Sequence, residues 1–162
     1  MNGSTENAAY DAPEKRSSGD RLINLGTARR MLPLVRRIVE DVLACQQRLA
    51  VLRPEQDGLD RARRTLGWPQ RARRYALREE ISELELKHQQ NLAELSFLGI
   101  VLLVPEEGRV GFPTLVNNRH AFFSWLPGEE CVQHWHFDGE DVRRTIPQAW
   151  SKAADINLLK KS

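Results

Sequence analysis

The feature that most constrains this chain is a change of hydrophobic period at Gly99. Upstream, Leu32, Val35, Ile38 or Val39, Val42, Cys45 or Gln46, and Leu49 recur every three or four residues. Leu77, Ile81, Leu84, His88, Asn91 or Leu92, and Leu95 repeat the pattern. That spacing places each set on one face of a helix. Downstream the period falls to two, with Ile100-Val101-Leu102-Leu103-Val104, Arg109 to Phe112, Thr114 to Val116, His120 to Leu126 and Glu130 to Phe137 as extended pieces. Turn residues divide them: Pro105 to Gly108, Asn117-Asn118, Pro127-Gly128 and Asp138 to Glu140. Asn and Gly tolerate the positive φ such turns require. The expected fold is α+β: a long antiparallel helical hairpin, coiled-coil-like, followed by a small three- to four-stranded antiparallel sheet and a short C-terminal helix. The hairpin is placed at about residues 27–98, the sheet at about 100–137, and the helix at about 148–159 with Trp150 as its anchor.

Local signals set the ends. Thr27 reads as a helix N-cap, whose hydroxyl accepts a bond from an orphaned backbone N–H of the next turn. Pro33 implies a kink or a later start. Pro54 to Gly58 supplies breakers, a second helical region opens near Leu59, and Gly67-Trp68-Pro69 interrupts it. Gly99 is suited to the left-handed residue that follows a helix. The polar, small residues 1–20 offer little to bury and are expected to be a disordered tail before one α+β domain at 21–162. Lys160-Lys161-Ser162 should fray.

Composition excludes several classes. The chain has 162 residues, with 24 Lys plus Arg against 22 Asp plus Glu, a net charge of +2. That balance argues against a histone-like polycation. Two cysteines, Cys45 and Cys131, exclude a four-thiolate zinc site. No apolar run reaches the roughly 18 residues that cross a bilayer, so no membrane partner is expected. The first twenty residues lack a signal-peptide core, and the expected location is cytoplasmic.

Two places carry candidate chemistry. His134 and His136 are two apart on an expected strand, so both point to one side, roughly 6.5–7 Å apart. A divalent metal becomes a candidate cofactor if Glu129, His120 or Asp138 supplies a further ligand. A Glu129–histidine pair would also suit acid–base work. The plainer reading makes Glu129 a solvated hairpin residue. Trp125 and Trp135 would wall a ligand pocket in the site reading; Trp135, alternating with the histidines, is otherwise core beside Phe137. Ser124 has no base assigned to it, and no catalytic motif is present.

The second place is a run of Arg61, Arg63, Arg64, Arg71, Arg73, Arg74 and Arg78 with no intervening acid and with Trp68 and Tyr75 interleaved. Glu79, Glu80, Glu83 and Glu85 then reverse the sign. Guanidinium groups fork onto phosphates and aromatics stack on bases, so nucleic acid is one candidate partner. The plainer reading is a solvated tip of the hairpin. Leu34, Leu43, Leu66 and Leu86 lie beyond the hairpin seam and need the sheet or another chain to cover them, which points to a protein partner or self-association as a dimer.

Several strings together resemble a known family: Thr27-Ala28-Arg29-Arg30-Met31-Leu32-Pro33-Leu34-Val35, Gly108-Arg109-Val110-Gly111-Phe112-Pro113, Phe123-Ser124-Trp125, Gly128-Glu129, His134-Trp135-His136 and Arg144-Thr145-Ile146-Pro147. They are similar to the uncharacterised bacterial family catalogued as domain of unknown function twenty-two-zero-three, over roughly Leu25 to Pro147. The chain departs from that family's pattern at Gly111, where an Asp is usual, and at Ser124-Trp125-Leu126, where Cys-Trp-Arg or Cys-Trp-Lys is usual. The resemblance implies the fold and brings no settled activity. The leading expectation is a non-enzymatic interaction module that binds a protein partner through the hairpin and its basic segment. Nucleic-acid backbone binding through Arg61–Arg78, and a metal or enzymatic site around Glu129, His134 and His136, are the alternatives.

Overall fold

The computed structural model describes residues 21–159, with side chains through Ala153. The expected tail 1–20 and the fraying Lys160-Lys161-Ser162 lie outside the described residues. Two long helices, α1 (Leu25–Arg61) and α2 (Trp68–Phe97), pack against each other. Five strands follow: β1 (Val101–Val104), β2 (Arg109–Val116), β3 (Arg119–Trp125), β4 (His134–Phe137) and β5 (Arg144–Thr145). They form one antiparallel meander in chain order, and α3 (Gln148–Leu159) closes the chain against α1.

The helix start lies one turn before the expected cap. Asn24 is the N-cap, and its side-chain oxygen accepts from the Thr27 N–H at 2.8 Å. Neither Pro33 nor Pro54 breaks α1, although an interior proline costs about 3 kcal/mol. Both sit on exposed positions, while the opposite face is held by burial. Around Pro54, Leu49 and Leu52 are buried against Leu77 and Ile81, and Glu55 pairs with Arg73 across the hairpin. The expected break at Gly67 is present: Pro69 opens α2, and the Gln70 side chain accepts from the Gly67 N–H at 3.3 Å.

Two cores result. The larger joins the first half of α1 (Leu32, Val35, Val39, Val42) to the sheet (Val110, Phe112, Phe123, Trp125) and to Leu95 at the end of α2. The smaller contains helix residues alone. The outer half of the hairpin therefore projects past the sheet with only its own seam to hold it. Of the four leucines beyond that seam, Leu66 is buried and Leu43 packs on the main core, whereas Leu34 and Leu86 stay exposed.

The change of period falls where expected, at Gly99 with φ 78°. The sheet differs in three details. β2 runs unbroken through Pro113, because the ladder with β3 is continuous on both sides of it. The strand expected from Glu130 is only His134–Phe137. Val132 turns into the core instead, and helix arginines take the loop carbonyls: Arg29 reaches Val132 O at 3.4 Å, and Arg36 reaches Glu130 O at 3.1 Å. The short β5 makes a fifth strand, too brief to show a period. Trp150 anchors α3 as expected, packed on the core and on Trp135.

One turn ties sheet to helix. Gly108 has φ 72°, and an added Cβ would lie 2.8 Å from Val39 Cγ1 and 2.9 Å from Leu43 Cδ1. Gly108→Ala combines a left-handed backbone penalty with overpacking. We expect it to lower unfolding free energy by about 2–4 kcal/mol in a denaturant titration; a loss under about 1 kcal/mol would show that this turn is not clamped on α1.

Candidate functional site

Strand alternation puts Phe123 and Trp125 on the α1 side of the sheet and Ser124 on the other. On that far side Ser124 pairs in register with His134. Glu129 folds back over them from the loop after β3. Its Oε2 accepts the Leu126 N–H at 3.0 Å, and both carboxylate oxygens take the Arg143 guanidinium at 2.8 Å. Arg143 Nε donates to Ser124 Oγ at 2.9 Å, and a terminal nitrogen donates to Ser124 O at 3.2 Å. Trp125 Nε1 donates to Glu129 O at 2.9 Å. His134 Nδ1 stands 3.2 Å from Glu129 Oε1, off the line of a hydrogen bond, so that buried nitrogen has no aligned partner.

Glu129 is therefore no solvated hairpin residue, as the plainer reading had it. Burial by itself pushes its carboxyl up; the Arg143 hydrogen bonds, the Leu126 N–H, the Arg143 charge and nearby His134 outweigh this and hold it below the usual glutamate value. A depressed carboxyl contributes stability that is full above the unfolded value of about 4.3 and is lost as pH falls through the folded value. We expect the chain to lose stability between pH 5 and more acidic conditions, and Glu129→Gln to flatten that dependence. Urea melts across this range measure it; an equally steep acid loss in the variant would assign the effect elsewhere.

The sheet brings some expected site residues together and separates others. Glu129 and His134 meet. His136 is buried, with Nδ1 2.8 Å from Phe137 O and its ring tilted against Phe122. Among the described residues no group of three or more His, Cys, Asp or Glu stands close enough to hold a metal. Trp125 is 1% exposed and belongs to the core, not to a pocket wall. Trp135 is half-buried against Phe137 and Trp150, with Arg144 over its ring at 5.2 Å. Ser124 is fully buried and its hydroxyl accepts from Arg143, which holds it as an acceptor. The cluster thus acts as a clamp that ties β3, the loop after it and the Arg143 segment. Arg143 was missed in the sequence: it lies in a charged stretch with no period, 14 residues from its partner.

The basic run lies at the far end of the hairpin, and contacts there use several of its arginines. Arg73 forks onto Glu55 at 2.7 and 2.9 Å, and Arg74 holds Asp60. The Arg73 hydrogen bond pulls the Glu55 carboxyl down, and Glu55 raises Arg73 in return. Arg61 and Arg71 donate to the carbonyls of Asp57 and Leu66. Among the described residues Arg63, Arg64 and Arg78 have no carboxylate within reach. Trp68 is 76% exposed and Tyr75 62%. They are seven apart on α2, hence on one face, and that face is opposite Leu77.

Fold and site together define a class: a long helical hairpin seated on a five-stranded antiparallel meander, clamped by a half-buried arginine–carboxylate pair. The sequence matches the family described as uncharacterized conserved protein (DUF2203) over residues 21–146. The chain belongs to that family. No curated protein and no solved structure matches it. Among the described residues no helix is long and apolar enough to cross a membrane.

Proposed function

We propose that this chain is an interaction module that binds a protein partner through the outer part of its hairpin. The observation that carries the reading is the exposure of Trp68 and Tyr75 on a helix face that nothing among the described residues covers. Large aromatics beside arginines are the residues that dominate the energy of protein interfaces. Solvent-facing helix positions with no partner ordinarily take charged or small residues. Glu55, Asp57 and Asp60 stand among the arginines, and two of these acids are already paired. Such mixed charge suits a protein surface better than a phosphate backbone.

The reading is tested by placing a photoreactive phenylalanine analogue at Trp68 or Tyr75 in cells that make the protein. Both positions should cross-link to a discrete protein species, and Val142, equally exposed on the sheet side, should not. Cross-linking no greater than at Val142 would overturn it.

A second reading has its own observation: Arg63, Arg64 and Arg78 have no carboxylate partner among the described residues. It expects retention on heparin or RNA that falls steeply with salt and weakens when these three become Ala. Equal retention of the triple variant removes it.

A further inference from the structure

The exposed apolar residues of α2 are not scattered. Trp68, Tyr75, Leu86 and Phe97 are 76%, 62%, 57% and 86% exposed. At 100° per residue they fall within about 40° of one another, a single line along the helix. The line runs the whole of α2, 30 residues or about 45 Å. It points away from the seam formed by Leu77, Ile81 and Leu95. α1 lies on that seam side and the sheet packs mainly on α1, so neither reaches this face.

The line has a symmetry. Trp68 and Phe97 are equidistant from the midpoint between Ser82 and Glu83, and so are Ala72 and Ala93. Two copies of α2 laid antiparallel about that midpoint would set Trp68 of each against Phe97 of the other. Charge favours the same arrangement. The first half of α2 carries Arg71, Arg73, Arg74 and Arg78 against Glu79 and Glu80, and the second half carries Glu83, Glu85 and Glu94 against Lys87, so the halves keep opposite net signs. Antiparallel pairing brings Arg78 within a turn of Glu85 of the other copy and Glu79 within a turn of Lys87, while Glu79 and Glu83 of the two copies meet like with like near the dyad. A parallel pair would oppose arginine to arginine along one half and acid to acid along the other. The two helix dipoles also oppose each other favourably when antiparallel.

The geometry points to a second copy of this chain as the occupant of the face, giving a two-fold antiparallel α2–α2 dimer. This rests on the reading of the hairpin as a binding surface and specifies its partner. The contact is isologous, so it closes on itself and leaves both sheets free at opposite ends.

Sedimentation of the full chain is the first arm. The mass should double with rising concentration, and Trp68→Lys with Leu86→Lys should raise the dissociation constant about tenfold or more; the melting temperature should be unmoved only at dilutions where the parent chain is itself monomeric, because both positions are exposed in the single chain. The second arm uses Ala72→Cys and Ala93→Cys, each in a Cys131→Ala background because Cys45 is buried. A short bismaleimide should join the mixed pair of variants and leave each variant alone unjoined, because like positions lie far apart in the antiparallel dimer. A monomeric mass at every concentration overturns the proposal, and so does self-joining of Ala72→Cys, the mark of a parallel pair. If the chain is monomeric yet the photoreactive residue at Trp68 still captures another protein, the dimer fails and the broader reading stands.

Discussion

Arg143→Ala should lower the melting temperature by roughly 10 °C, from a loss of about 3–5 kcal/mol. The size follows from what the guanidinium satisfies. Arg143 and Glu129 are only 17% and 19% exposed, and they meet through two bonds of 2.8 Å. Removing the cation leaves an ionised carboxylate in a partly dry setting, and it strips the buried Ser124 of donors to both its hydroxyl and its carbonyl. Breaking one partner of such a pair costs more than the pair contributes, because the other charge is stranded. Arg143→Lys should recover little: an ammonium cannot reproduce the fork across Glu129 and Ser124. The double variant Arg143→Ala with Glu129→Gln should be more stable than Arg143→Ala alone, since the stranded charge is gone. Calorimetry on the three variants decides it. A shift of less than about 2 °C in Arg143→Ala would mean that the clamp is ornamental.

Trp125→Ala should destabilise by a similar amount, about 3–5 kcal/mol, for a different reason. The indole is buried among the α1 and sheet residues of the main core, with Arg36 5.7 Å from its ring centre. Its loss opens a large cavity and removes the N–H bonded to Glu129 O. Trp125→Phe separates the two contributions. It keeps most of the volume and drops the donor, so it should cost only about 1–2 kcal/mol. Denaturant unfolding reads both. Near-equal losses in the two variants would mean that the hydrogen bond, not the packing, dominates this position.

The two variants probe what the sequence could and could not reveal. Helix and sheet were legible because their apolar periods differ and because Gly99 separates them. The positions expected on the inward helix stripes are buried: Leu49, Leu77 and Ile81 in the seam, and Val35, Val42 and Leu95 in the main core with the sheet. Proline misled, because its cost is local whereas the seam holding α1 across Pro54 is formed with residues more than twenty positions away. The loop from Glu130 to Gln133 looked like strand because its composition suits one. Its carbonyls are satisfied by Arg29 and Arg36, and no local pattern announces a partner about a hundred residues distant. Trp125, Glu129 and His134 were singled out from type and spacing alone, and the structure gathers Glu129 and His134. Arg143 organises them and carried no signal, since a guanidinium reaching over a sheet face has no period. The basic run was plain, but the pairing of Arg73 and Arg74 depends on α1 continuing to Arg61.

On the proposed function, the outward face of α2 is covered when the protein works. Hydroxyl-radical footprinting compares Trp68, Tyr75 and Phe97 in dilute purified protein with the same residues in cells that produce it. All three should oxidise severalfold more slowly in the cell, with the loop around Val142 unchanged. Equal rates in both settings, at all three residues, would contradict the reading of this face as a binding surface.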